Sequence, residues 1–182
     1  METPRLKAVN ATVDLLPDRR TATVETGWIS ESDAQAGSVV TGKVFLRPYR
    51  GERIERDFSV KLPAGLAKGQ YDILLSDADT LNRFQSAAGK ADQFINIPQT
   101  ISLLNQERSN SNLYISLVEK KPTVFYEDKS LPNLPPSVIN VMQTGRSASR
   151  SLPSSGESVM EQGSIPFNLV VSGSYSLKIS VK

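Results

Sequence analysis

The chain contains neither cysteine nor histidine among its 182 residues. Without cysteine it cannot form a disulfide bond, a thiolate metal site or a cysteine nucleophile. Without histidine it cannot build a Ser-His-Asp triad, an imidazole base or a histidine metal site. The phosphate-binding motifs GxGxxG and GxxxxGK[ST] do not occur either. We therefore predict that the chain is not an enzyme, and we expect no catalytic residue, no metal site and no cofactor.

An excess of one charge and a long hydrophobic run are also missing. Lysine and arginine total 21 against 19 acidic residues, a formal charge of +2. This balance is too small to predict a nucleic-acid partner. No run approaches the roughly 18 apolar residues that a transmembrane helix requires. We therefore expect no nucleic-acid binding and no membrane insertion.

The pattern that is present has a period of two, which is typical of β-strands with one buried face. The clearest example is residues 174–182, where apolar and polar side chains alternate. Residues 165–171 alternate in the same way, and Ser172-Gly173 supplies turn residues between them. Residues 165–182 therefore predict a β-hairpin.

The first half of the chain repeats this alternation between Gly and Pro turns. The segments are 9–15, 22–28, 40–46, 54–62 and 71–75. In the first segment, Val13 and Leu15 belong to the apolar series, and in the second Trp28 continues the series of Ala22 and Val24. We therefore expect Trp28 in a core or at a sheet edge. Short strands at this spacing are the pattern of a β-sandwich.

The middle of the chain loses the alternation and predicts short helices over 79–88, 96–108 and 135–145. Strand spacing returns at 113–117 and 123–126, and residues 144–163, rich in Ser, Gly and Arg, predict a long flexible loop. We predict one domain over 1–182, with a helical insertion at about 78–110. The alternative is two small domains, 1–77 and 78–182.

A Pro/Gly loop at residues 63–69 leads into Gly69-Gln70-Tyr71. This element resembles the Gly-x-Tyr that opens a late strand in bacterial immunoglobulin-like modules, where the tyrosine hydroxyl bonds back to the backbone. The expected fold class is therefore mainly β, an immunoglobulin-like β-sandwich with short helices inserted between strands.

Basic and aromatic side chains concentrate between residues 47 and 56. One interpretation is that this cluster binds an acidic partner or a phosphate. The alternative is a solvated hairpin whose charges pair locally. With the one tryptophan, the candidate binding residues are Arg47, Tyr49, Arg50, Arg53 and Trp28.

Carboxylates at Asp72, Asp77 and Asp79 are the one candidate calcium set. They lack the ligand spacing, the turn glycine and the terminal glutamate of an EF-hand. We therefore predict no calcium site.

Several longer runs together resemble one group of bacterial proteins. They are residues 42–51, 58–63, 69–75, 131–138 and 170–177. Over residues 20–182 they look like the C-terminal β-rich region of proteins related to serine peptidases of the stage IV sporulation protein B type, including acidobacterial ones. The resemblance implies an accessory module of a larger exported protein, located in the periplasm, at the cell surface or outside the cell. The catalytic residues of such a protein would lie outside this chain.

Two functional hypotheses follow. In the first, the chain is a non-catalytic β-sandwich that binds a protein partner or a neighbouring domain of the same polypeptide, through a sheet edge or the 47–56 hairpin. In the second, it binds a carbohydrate or another small ligand with Trp28, Tyr49 or Tyr114 in a loop cleft. An exposed Trp28 beside a groove favours the second hypothesis, and a buried Trp28 favours the first.

Overall fold

A computed structural model of the chain describes residues 10, 12, 13, 15, 18–89, 108–120, 123–126, 129–132, 134–144, 154, 155 and 157–182. One sheet in this part of the chain has four strands. They are Thr21–Ile29 (β1), Val39–Pro48 (β3), Ile54–Lys61 (β4) and Val170–Ser172 (β11). Their order across the sheet is β11-β1-β3-β4. β1 is antiparallel to β3 and parallel to β11.

A second sheet has five strands. They are Asp33–Ala34 (β2), Gly69–Ser76 (β5), Asn112–Glu119 (β6), Ser158–Pro166 (β10) and Ser174–Val181 (β12), in the order β10-β6-β5-β12-β2. A small third sheet contains Thr123–Tyr126 (β7), Lys129–Pro132 (β8) and Ser154–Ser155 (β9). The described helices are Ala78–Gly89 (α1) and Pro136–Thr144 (α2).

The core lies between the two larger sheets, because the apolar side of each alternating strand faces the other sheet. Val44 and Val60 of the four-stranded sheet join the same buried cluster as Ile73, Leu117 and Ile179 of the five-stranded sheet. Fully burying a side chain of this size stabilises the fold by about 1.5–3 kcal/mol. The mainly-β, sandwich-like fold that the alternation predicts is thus confirmed.

The outer face of the five-stranded sheet carries a second buried cluster. Ala78 and Leu81 of α1 are 0% and 2% exposed there, as expected for the apolar side of a helix lying on a sheet. The side chain of Phe84, which we predicted beside Leu81, lies outside the described residues. The sheet residues in the cluster are Leu74, Tyr114 and Val118. This outer face is therefore partly covered.

The carboxylate of Asp77 joins α1 to the strands. Its Oδ1 accepts a 2.7 Å hydrogen bond from the backbone N–H of Thr80, which is the bond expected of a helix N-cap. Its Oδ2 accepts a 2.6 Å bond from the backbone N–H of Gly173. Asp77 therefore has two structural partners.

Gly173 marks the place where the chain passes from one sheet to the other. β11 pairs with β1, whereas β12 pairs with β5 and β2. The hairpin predicted over 165–182 is therefore wrong. The alternation was correct, but Gly173 at φ 87° turns the chain into the other sheet instead of back along the same one.

The predicted first strand is also wrong where it is described. Val13 and Leu15 lie outside any strand and are 76% and 92% exposed, while Val9 and Ala11 lie outside the described residues. No strand of the described part pairs with either residue, so neither side chain is buried against a sheet there.

Other predicted elements have mixed outcomes. α1, α2, β6 and β7 confirm the helices over 79–88 and 135–145 and the strands near 113–117 and 123–126. Of the helix over 96–108, only Arg108 is among the described residues. The loop over 144–163 differs from the prediction, because β9 and the first part of β10 lie within it. Residues 145–153 and 156 of that loop lie outside the described residues.

Both larger sheets combine strands from the two halves of the chain. β1 pairs with β11, and β5 pairs with both β6 and β12. A boundary near residue 77 would therefore separate paired strands in both sheets.

The Gly-x-Tyr element behaves as its resemblance implies. The hydroxyl of Tyr71 donates a 2.8 Å hydrogen bond to the backbone oxygen of Ala67, four residues earlier. It also lies 3.4 Å from Oε1 of Glu119 in β6. The Tyr71 hydroxyl thus links the loop before β5 to Glu119 of β6.

Candidate functional site

All five predicted binding residues are exposed and belong to the four-stranded sheet or to its β3–β4 loop. They are Trp28, Arg47, Tyr49, Arg50 and Arg53. We define the outer face as the side chains of β1, β3, β4 and the β3–β4 loop that point away from the core. Trp28 and Tyr49 are each 56% exposed on it.

Glu25 is the centre of the charge network on the outer face. Its two carboxylate oxygens each bind one guanidinium group, Arg47 at 2.8 Å and Arg53 at 2.8 Å. One negative charge thus stands against two arginines of the predicted cluster. Arg47 and Arg53 lie close together because Glu25, which the sequence did not single out, binds both.

The two arginines also set the protonation of Glu25. The hydrogen bond from Arg47, followed by the charges of Arg47 and Arg53, holds the pKa of Glu25 below its ordinary value of 4.5. Because the folded-state pKa is lowered, the stability that this carboxylate contributes is present above pH 4.5. It is lost as the pH falls through the lowered pKa.

Aromatic rings support several of the guanidinium groups. Arg53 lies 4.1 Å from the ring centroid of Phe45, and Arg19 lies 4.6 Å from that of Tyr49. Arg50 lies 5.8 Å from the Tyr49 ring. Each exposed contact of this kind contributes about 0.5–1 kcal/mol. The end of the outer face near the β3–β4 loop is therefore an ordered arrangement of arginine and aromatic side chains.

Arg19 and Arg50 differ from Arg47 and Arg53 in their charge environment. Among the described residues neither has a carboxylate within ion-pair distance, although Asp18 and Glu52 are their near neighbours in the sequence. Within the described part of the chain, no carboxylate therefore compensates the two positive charges near the Tyr49 ring. We call Arg19, Tyr49 and Arg50 the arginine–tyrosine cluster.

Arg56 does not join this cluster. It pairs across the sheet with Val44, whose side chain is fully buried, so Arg56 lies on the opposite side of β4 from Glu55. Its guanidinium lies 5.8 Å from the ring centroid of Phe167. The period-two alternation that separates Arg56 from Arg53 is visible in the sequence once the strand is known to begin at Ile54.

Trp28 is 56% exposed, so of the two predicted placements, in a core or at a sheet edge, the core placement is wrong. The β1–β3 register shifts between Val24 and Thr26, which is a β-bulge, and Thr26 rather than Glu25 continues the pairing. The extra residue reverses the alternation in the second half of β1. Trp28 then points outward, opposite Lys43.

A groove of about 450 Å³ lies beside Trp28. Its polar lining comes from Thr41, Lys43, Asp57 and Ser59 of β3 and β4. Its apolar lining comes from Trp28, Gly42 and Phe58. By the criterion given above, an exposed Trp28 beside a groove favours a small-ligand site here.

Lys43 is the charged centre of this groove. It forms an ion pair with Glu55, and its Nζ lies 3.9 Å from Oδ1 of Asp57. The hydrogen bond to Glu55 and the nearby carboxylates raise the pKa of Lys43 above its ordinary value of 10.5. Its contribution to stability is therefore present below pH 10.5 and is lost only as the pH rises through the raised pKa.

The groove and the arginine–tyrosine cluster are separate sites. Tyr49 is six positions after Lys43, which corresponds to about 20 Å along an extended strand. The structure therefore does not bring Trp28 together with Tyr49. Tyr114 does not belong to either site, because it is 5% exposed in the second cluster and donates a 3.2 Å hydrogen bond to the backbone oxygen of Ser109.

The described residues hold no group of three or more metal-ligating side chains. Of the predicted calcium candidates, Asp77 is committed to Thr80 and Gly173 as described above. Over the same residues, no helix is long and apolar enough to cross a membrane.

Comparison of the chain with protein-family models, with curated proteins and with solved structures gave no match.

Proposed function

We propose that the chain is a non-catalytic binding module that recognises an acidic surface of a protein partner through the arginine–tyrosine cluster. One observation carries this proposal. Tyr49 is exposed, and within about 6 Å of its ring centroid lie two guanidinium groups that have no carboxylate partner among the described residues. Tyrosine and arginine are the residue types enriched at the energetic centres of protein interfaces.

The neighbouring ion pairs support this role because they hold the cluster in place. Glu25 fixes Arg47 and Arg53 at the base of the β3–β4 loop, and the backbone N–H of Tyr49 donates a 2.9 Å bond to Thr21 in β1. A contact surface that is ordered before binding loses less conformational entropy on association. The ordered β3–β4 hairpin is therefore better suited to be a contact surface than a mobile loop would be.

The free edge of β4 is a weaker candidate contact surface. β4 is the last strand in the order of its sheet, so one side of its backbone has no neighbouring strand in that sheet. Glu55, Arg56 and Asp57 follow one another along it. Charged side chains on an edge strand oppose pairing with another chain.

The accessory role and the exported location are part of the same proposal and rest on the resemblance of residues 20–182 to C-terminal regions of peptidase-related bacterial proteins. An immunoglobulin-like identity is supported by the bond from Tyr71 to Ala67 and by the parallel pairing of β2 with β12. Reading the coding sequence on both sides of this segment tests it. A peptidase-like domain with an export signal upstream is the expected result, and a different parent protein contradicts the accessory role.

The binding surface is tested with a defined acidic probe. Poly-L-glutamate is titrated into isotope-labelled protein at about 0.1 M salt, and amide shifts are followed by NMR. The double variant Arg19→Gln/Arg50→Gln is expected to bind about tenfold more weakly, which corresponds to about 1.4 kcal/mol. The shifts should concentrate at residues 18–20 and 48–52.

The matched control removes the same charge elsewhere, with Lys61→Gln/Lys178→Gln, two exposed lysines of other strands. It should bind poly-L-glutamate within about twofold of the original protein, because screened charges beyond about 10 Å interact weakly at 0.1 M salt. Equal loss in both double variants would mean attraction by net charge alone, and the proposal would fail.

A further inference from the structure

We propose that the groove beside Trp28 binds an uncharged saccharide chain. This site is distinct from the arginine–tyrosine cluster, about 20 Å further along β3. It does not depend on the proposed protein partner, and either proposal can fail without the other.

The side chains that line the groove match the chemistry of a sugar. A pyranose ring has an apolar face of C–H groups and a rim of hydroxyls. Trp28 offers a large, half-exposed aromatic face of matching size, and Asp57 is an 84% exposed hydrogen-bond acceptor on the neighbouring strand. An aromatic ring with polar side chains beside it is therefore complementary to both parts of a sugar.

Two hydroxyl side chains complete the polar part of the groove. Thr41 and Ser59 are directly paired across β3 and β4 and both line it. The Thr41 hydroxyl is positioned by Ser30, whose Oγ lies 3.0 Å from it. Hydroxyls act as both donors and acceptors, which suits a ligand whose own polar groups are hydroxyls.

The charge at the groove decides between a neutral and an anionic ligand. Lys43 is paired with Glu55 and also lies near Asp57, so two carboxylates surround one ammonium group. The local formal charge is one negative, which opposes phosphate, sulfate and uronate groups. An uncharged saccharide is the class that this groove accepts.

The site is an open groove and not an enclosed cavity. The groove lies along the open surface of a sheet between β1, β3 and β4, rather than inside the sandwich. An open groove accommodates part of a longer chain, whereas a site for a free monosaccharide encloses most of the ligand.

Trp28 is the one tryptophan in the sequence, so its fluorescence reports on this groove alone. The full chain is titrated with cellohexaose, mannohexaose and maltohexaose, and with hexagalacturonate as a charged chain of equal length. We expect a saturable blue shift with at least one neutral hexasaccharide and at least tenfold weaker binding of hexagalacturonate. No saturable change with any of the three neutral probes, or preference for the charged one, would overturn the proposal.

Substitutions then assign the binding to the groove. Asp57→Ala keeps the fluorophore and is expected to weaken binding about tenfold, and Trp28→Ala, measured by calorimetry, should abolish it. Val170→Ala is the matched control, because it trims a 46% exposed apolar side chain of the same sheet away from the groove. If Trp28→Ala and Val170→Ala bind the saccharide equally well while keeping the circular dichroism of the original protein, the groove is not the site.

Discussion

Gly42 lies in β3 between the backbone of Trp28 and the ring of Phe58. A β-carbon at this position would stand 2.3 Å from the Trp28 carbonyl oxygen and 2.6 Å from Cζ of Phe58. The carbonyl belongs to the neighbouring strand and cannot move without disturbing the ladder. In the sequence alone, Gly42 is a position with low strand propensity. In the structure, the close approach of Trp28 and Phe58 leaves no room for a side chain there.

We expect Gly42→Ala to lower the free energy of unfolding by about 1–3 kcal/mol, the range typical of overpacked sites. Urea unfolding followed by circular dichroism measures it. Gly65→Ala is the matched control, because no atom lies within 4 Å of the added carbon. Equal stability of the two variants would contradict the close approach at Gly42.

At the scale of single residues, the sequence predicted contacts that depend on local spacing. Tyr71 bonds to a backbone oxygen four residues away, and the Gly-x-Tyr motif carries that information. Trp28 was misplaced because a single extra residue in β1 reverses the faces of the strand, and no residue type announces that bulge. Glu25 was missed because its arginines are 22 and 28 positions away and meet it only after the strands pair.

At the scale of elements, Asp77 joins three of them. It caps α1 through Thr80 and fixes the β11–β12 crossing through Gly173. Loss of an N-cap costs about 0.5–2 kcal/mol, and loss of a hydrogen bond to a charged group about 1.5–3 kcal/mol. We expect Asp77→Ala to lower the free energy of unfolding by about 2–4 kcal/mol, as measured by thermal and urea unfolding.

Asp79→Ala serves as the control for Asp77→Ala. Asp79 is exposed in the first turn of the same helix, where an acidic side chain contributes about 0.3–1 kcal/mol through the helix dipole. A loss at Asp77 no larger than at Asp79 would show that the contact with Gly173 contributes nothing to stability.

Strand alternation predicts which side chains are buried but not which strands pair. Residues 170–182 alternate without interruption, and only the turn at Gly173 divides them between two sheets. The same limit applies to the candidate site. Lys43 and Asp57 read as ordinary surface charges until the register places them opposite Trp28 and each other.

At the scale of the whole molecule, one buried cluster contains residues from both halves of the chain. We therefore expect the two halves to unfold together in one transition. Leu117 in β6 is fully buried and pairs with Ile73, whereas Trp28 reports on β1. We expect Leu117→Ala to cost about 2–5 kcal/mol and to shift the urea midpoint by the same amount whether unfolding is followed by Trp28 fluorescence or by circular dichroism. A fluorescence transition that stays in place while the circular dichroism transition moves would mean that the two halves unfold independently, as two domains divided near residue 77 would.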